Sequence, residues 1–187
     1  NFSHVAGVYL RQNPPASPLM MHYGEGFADF LDGFEPLKHL GYLADVARIE
    51  LALRRSYHAA DSTSMDPTRL AALDEATLLN ATFTLAPAVE FLTSRWPAVS
   101  VWRLATRPGS PKPEARPECA LITRLEFDPE PHPLDLPQAH FVAALRRGDT
   151  FGAALEAAGD GFDLGPTLNL LLSQGALIDM HTKGPPQ

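Results

Sequence analysis

The chain has one cysteine, Cys119, which excludes an internal disulfide and any metal site built from several thiolates. It has no unbroken apolar run of about 18 residues, the length a membrane-spanning helix needs. No signal peptide heads it. It opens NFSHVAGVYL without an initiator methionine, which leaves room for a removed targeting segment. A cytoplasmic setting is the expectation. Cations are also short: 15 Lys and Arg stand against 22 Asp and Glu, a net charge of −7. Residues 137–187 hold only Arg146, Arg147 and Lys183 as cations, against Asp149, Glu156, Asp160, Asp163 and Asp179. A protein that grips phosphates over a broad face clusters Lys and Arg instead.

Familiar catalytic signatures are missing too. There is no GxSxG elbow, no GxGxxG turn and no Walker-type phosphate loop. Cys119 follows a proline-rich loop with no base beside it. The seven histidines form no HxH or HExxH pattern, and His58 with Asp61 is the best remaining pair. GDGF at 159–162 lacks the other ligand positions of a calcium loop and reads as a turn. No catalytic residue, cofactor or metal ligand is assigned.

What is present is a folded core, with 45% hydrophobic residues in 187. Apolar spacing predicts helices over Ser3–Arg11 and Gly24–Leu31, with ASPLMMHYG between them as a loop. The longest predicted helix is Pro36–Ala60, with Pro36 in its first turn. Asp66 is expected to cap a further helix through Leu73. The texture then changes. ATFTLAP and AVEFL alternate like strands. WPAVSVWRLA leans to helix, TRPGSPKPEARPE is an exposed loop, CALITRLEF a strand and HPLDLP a short edge strand. Helices over Pro137–Arg147, Thr150–Ala158 and Gly165–Ser173 follow, then the strand ALIDM. Thr150 is the expected N-cap, and Gly148 and Gly175 are the expected C-caps. The reading is α+β: an all-α domain over 1–79, then a smaller winged-helix-like domain over 80–187.

The long helix, YLADVARIELALRRSYHAAD, carries the candidate polar site. At a period of 3.6, Leu43, Val46, Ala47, Glu50, Arg54, Tyr57 and His58 share one face, and Asp45, Ile49, Ala52, Leu53 and Ser56 share another. Glu50 among apolar residues is expected to be buried and bonded to Arg54, Tyr57 or His58, since burial of an unpaired carboxylate is costly. These four residues read as a structural strut with one side able to recognise a partner. Phe91, Trp96, Trp102 and Phe141 are candidate interface anchors, because aromatic side chains dominate binding hot spots. For any one of them, ordinary core is the commoner role. The helical triplet resembles a DNA-reading module in outline. However, TFGAALEAAGD has no base-reading side chain and GPTLNLLLSQG offers only Asn169 and Gln174. Capture of an extended peptide at an open sheet edge fits this composition better.

The stretches NPPASPLMMHYGEGFADFLDGF, HLGYLADVARIELALRRSYHAAD, SRWPAVSVW and LSQGALIDM resemble the HvfC/BufC-type family over nearly the whole chain, most specifically over Pro14–Asp61. Family members carry a further helical region ahead of the point where this chain starts. The resemblance therefore implies a copy lacking that segment. It implies two roles. One is DNA binding in transcriptional regulation, since the N-terminal region is catalogued as a candidate DNA-binding domain. The other is a non-catalytic partner of a multinuclear non-haem iron oxidase that modifies cysteines in ribosomally made, often copper-binding, precursor peptides. The resemblance carries no catalytic residue over. It matches the Pro14–Gly24 loop and Glu50, Arg54, Tyr57 and His58.

The charge balance gives a direct expectation. A mobility-shift titration near physiological salt should show only weak binding of DNA without sequence preference. Sub-micromolar, sequence-selective binding would overturn it.

Overall fold

The computed structural model describes residues 2–18 and 23–182. Helix α1 (Phe2–Gln12), α2 (Phe27–Gly33), a 3-10 helix (Glu35–Leu40) and α3 (Tyr42–His58) come first. Two short helices follow, α4 (Thr68–Ala71) and α5 (Glu75–Asn80). Then come β1 (Thr82–Leu85), β2 (Glu90–Ser94), α6 (Ala98–Thr106), β3 (Glu118–Thr123) and β4 (Glu130–Leu134). Helices α7 (Leu136–Arg147), α8 (Phe151–Ala158), α9 (Leu164–Ser173) and strand β5 (Leu177–His181) close the order. The fold mixes helices with small antiparallel sheets, as the α+β reading expects. Strands β2, β3 and β4 form one sheet in that order, and β1 pairs with β5 in a separate ribbon.

Several elements follow directly from local chemistry. Asp135 caps α7 with a full capping box, accepting from the Gln138 N–H while Gln138 bonds back to the Asp135 N–H. Gly148 ends α7 in the left-handed region at φ 83°, which a residue with a Cβ adopts only with strain. Thr150 caps α8 as expected, its hydroxyl accepting from the Ala153 N–H.

Other expectations need correction. The helix predicted over Pro36–Ala60 is divided at Gly41, with a 3-10 segment before it and α3 after it. Trp96 packs against the bare face of Gly41, where a Cβ would lie 2.9 Å from the indole ring. The helix predicted from Gly24 starts at Phe27, after a turn. Residues 74–80, unassigned from sequence, form α5 on an Asp74 cap. Strand β3 ends at Thr123 instead of running on to Phe127. Of the expected loop over 16–24, residues 19–22 lie outside the described residues.

The sheet separates two apolar layers. Alternate residues of β3 point opposite ways. Ala120 and Ile122 pack with Ile49 and Ala52 of α3 and with Ala98 and Val99 of α6. Cys119 and Leu121 face the larger cluster built around Phe141, Val142, Leu145, Phe151 and Leu171. Hence all six residues of β3 are buried.

Arg124 fastens α3 to this sheet. Its side chain is only 8% exposed. Nη1 donates to the Tyr57 carbonyl at 2.6 Å, and Nη2 donates to the Ala59 carbonyl at 3.0 Å and to Asp61 Oδ1 at 2.9 Å. These carbonyls lie at the C-terminal end of α3, where backbone acceptors lack helical partners and a cation is favoured. Arg124→Ala should cost about 1.5–3 kcal/mol, the range for hydrogen bonds to a charged group. Urea unfolding measures it, and a loss under about 0.5 kcal/mol, the surface-substitution range, would refute the role.

Candidate functional site

The polar residues of α3 do not converge. Glu50 is exposed, not buried, and its Oε1 accepts from the Trp102 indole N–H at 2.6 Å. The buried face of α3 is the one bearing Ala44, Ile49, Ala52 and Ser56. Glu50 therefore has no burial cost to offset, and a single tryptophan donor holds it. Arg54 Nη1 donates to the Tyr23 carbonyl at 2.8 Å, toward the turn before α2. Tyr57 is 54% exposed and meets the exposed His58 ring edge-on. His58 finds no Asp61 carboxylate, because Arg124 holds it. Asp45 and Arg48, three apart in sequence, do pair at 2.7 Å, and Arg48 also binds Asp29 and Asp32. The Asp32 bond leads the effects that hold the Arg48 guanidinium above its ordinary pKa.

The second face of α3 borders a groove of about 700 Å³. Leu43, Val46 and Leu51 of α3 meet Val5 of α1 and Phe27 and Leu31 of α2 around it. Glu50 and Arg54 also line it. The face predicted to be a buried strut is thus the wall of an apolar recess.

The four aromatic candidates separate as well. Phe141 is 0% exposed at the centre of the larger core, so it cannot anchor a partner. Phe91 is half-buried against that same core. Trp96 is half-buried on Gly41, with Arg95 stacked over it at 5.4 Å. Trp102 is half-buried, bound to Glu50 and covered by Arg107 at 5.6 Å. The most exposed aromatics, Phe127 at 78% and Phe2 at 74%, were not singled out from sequence. Phe127 lies in LEFDPE, where acidic neighbours and a proline signal a loop, and that signal was available.

The sheet edges are the sharper feature. Ala120 lies opposite Pro133, and Ile122 opposite Pro131. In an antiparallel ladder, opposed pairs alternate between exchanging both backbone bonds and exchanging neither. Proline has no N–H, so the exchanging pairs are Cys119–Leu134, Leu121–His132 and Thr123–Glu130. The backbone of Glu118, Ala120 and Ile122 must then face β2. The Glu118 N–H agrees, donating at 3.1 Å to the Trp96 carbonyl on that side. Opposite these stand Ser94, Leu92 and Glu90. Phe91 and Thr93 therefore turn their N–H and C=O groups away from the sheet. Among the described residues no strand pairs with this outer edge of β2, and Thr93 is exposed. The β1–β5 ribbon differs: a bulge at Ile178 of β5 interrupts its pairing with β1, and the Leu177 and Met180 carbonyls of β5 accept from the Met65 N–H and Arg69.

Burial shifts the titration of two side chains in the three-stranded sheet. Burial pushes the Cys119 thiol up, keeping it protonated. Burial also pulls His132 below its ordinary value, opposed by Glu130 and reinforced by Arg103 and Arg107. Its Nε2 lies 2.9 Å from the Thr123 hydroxyl. Among the described residues, no three His, Cys, Asp or Glu side chains gather to hold a metal ion. No helix among them is long and apolar enough to cross a membrane.

His132 gives a pH dependence with a definite sign. The folded state keeps the ring neutral below the pH at which the unfolded chain takes up a proton. Stability should therefore be full above about pH 6.5, the unperturbed value, and fall as pH drops below it. His132→Gln should flatten that slope in urea unfolding followed from pH 7.5 to 5.5. An unchanged slope would refute it.

No known protein family matches this chain, and no curated protein matches it.

Proposed function

We propose that this protein is a non-catalytic recognition subunit. It binds an extended precursor peptide along the outer edge of β2 and works with a multinuclear non-haem iron oxidase that modifies that peptide, of the class that often binds copper. The observation that supports this reading best is the unpaired β2 edge, with the donors and acceptors of Phe91 and Thr93 turned outward. An extended peptide gains affinity from such main-chain groups and specificity from the side chains beside them. The resemblance to the HvfC/BufC-type family supplies the oxidase and the precursor peptide. Helices α7–α9 with the β5–β1 ribbon act in this reading as the winged-helix-like part. Trp96 and Trp102 are half-exposed, and Phe127 is exposed, so these three are aromatic anchors available to the enzyme. DNA is the weaker alternative, since α8 and α9 contain no Lys or Arg.

Thr93→Pro removes one outward donor and puts a ring on the edge, a substitution that outward strand positions tolerate. Anisotropy with a labelled synthetic copy of a cysteine-rich precursor encoded beside an iron-oxidase gene is the measurement. Thr93→Pro should weaken binding by about tenfold or more, since about 1.4 kcal/mol is tenfold, with the unfolding midpoint retained. Equal binding by both proteins would remove β2 as the site. Complete modification of the peptide by the oxidase alone would end the accessory reading.

A further inference from the structure

The two edges of the three-stranded sheet are chemically unequal. By the register above, the residues of β4 that face away from β3 are Pro131 and Pro133. Neither has an N–H, so this edge presents no donor at either outward position. The acceptors are reduced as well. Arg103 of α6 donates from Nη2 to the Pro131 carbonyl at 2.9 Å. That is the one hydrogen bond its guanidinium makes among the described residues, and its Nε is buried without a partner. A half-buried arginine whose guanidinium reaches only an edge carbonyl blocks that carbonyl as effectively as a neighbouring strand would. Beside it, Arg107 and Glu130 form an ion pair at 3.0 Å, placing charge at the start of β4.

We infer that Pro131, Pro133 and Arg103 make this sheet one-ended: it admits a single extended strand, on β2, and refuses a second peptide or another copy of this chain on β4. The inference rests on the reading of β2 as the peptide edge, and it adds the residues that set strand specificity and stoichiometry. A strand arriving at β4 would lay a carbonyl against the exposed Pro133 ring and find Pro131 buried with its carbonyl taken. A strand arriving at β2 meets two N–H and two C=O groups in ladder spacing. Open edges are otherwise templates for uncontrolled pairing, and prolines and charges are the usual means of blunting them.

The test uses the full chain carrying Pro131→Val and Pro133→Val, which restores both outward donors. Sedimentation velocity over a concentration series reads self-association without any peptide. Calorimetric titration with the labelled precursor peptide reads stoichiometry. The double variant should gain mass with concentration beyond the wild-type curve, or bind two peptide equivalents where the wild type binds one. A variant folded by circular dichroism that sediments like the wild type and still binds one equivalent would overturn the inference. A wild type that binds no peptide, beside a variant that self-associates, would defeat the β2 reading and leave the one-ended sheet standing. Should the double variant fail to fold, Pro133→Val alone, at an exposed position, carries the same comparison.

Discussion

Strand β3 is covered on both faces and paired on both edges, and the rest of the structure answers to that constraint. A strand in this position must be apolar at consecutive residues, because neither side of its pleat meets water. Cys119, Ala120, Leu121 and Ile122 meet that requirement in one unbroken run. The polar ends are satisfied locally. Buried Glu118 accepts from the Ser100 N–H at 2.9 Å and from the Ser100 hydroxyl at 2.6 Å, in the first turn of α6 where an anion is favoured. Buried Thr123 shares its hydroxyl with His132. Helices α3 and α6 are needed on one face and α7 to α9 on the other, since either face left bare would expose apolar side chains.

This arrangement also explains what the sequence showed and what it concealed. Alternation in ATFTLAP, the capping residue Thr150 and the terminating Gly148 are local signals, and each is realised where it stands. The break at Gly41 is not local. It depends on Trp96, far along the chain, reaching a position without a Cβ. Glu50 misled for a related reason. Periodicity groups residues onto faces but does not say which face meets the sheet. The core took the face with Ile49 and Ala52, and Glu50 was left to a tryptophan donor from α6. Phe141, offered as a surface anchor, carries the same message, because an aromatic at core spacing is core until a surface is shown.

The prolines of EPHPL mark the limit most clearly. Proline within a strand-like run identifies an edge strand, and that much is legible in one dimension. Which of its residues point outward requires the register with Ala120 and Ile122, a relation between segments on either side of a loop. Register, helix-face choice and long-range packing are all pairwise properties. A single sequence records only one half of each pair.

Cys119 occupies the middle of this doubly covered sheet, 4% exposed and held as a thiol. Thiol reagents attack the deprotonated, accessible form, so modification there must wait for the strands to part. The residue is thus a natural clock for the sheet: its labelling rate in native buffer counts opening events at the one place where both layers meet. Because the chain contains no other cysteine, that signal needs no engineering and has a single source.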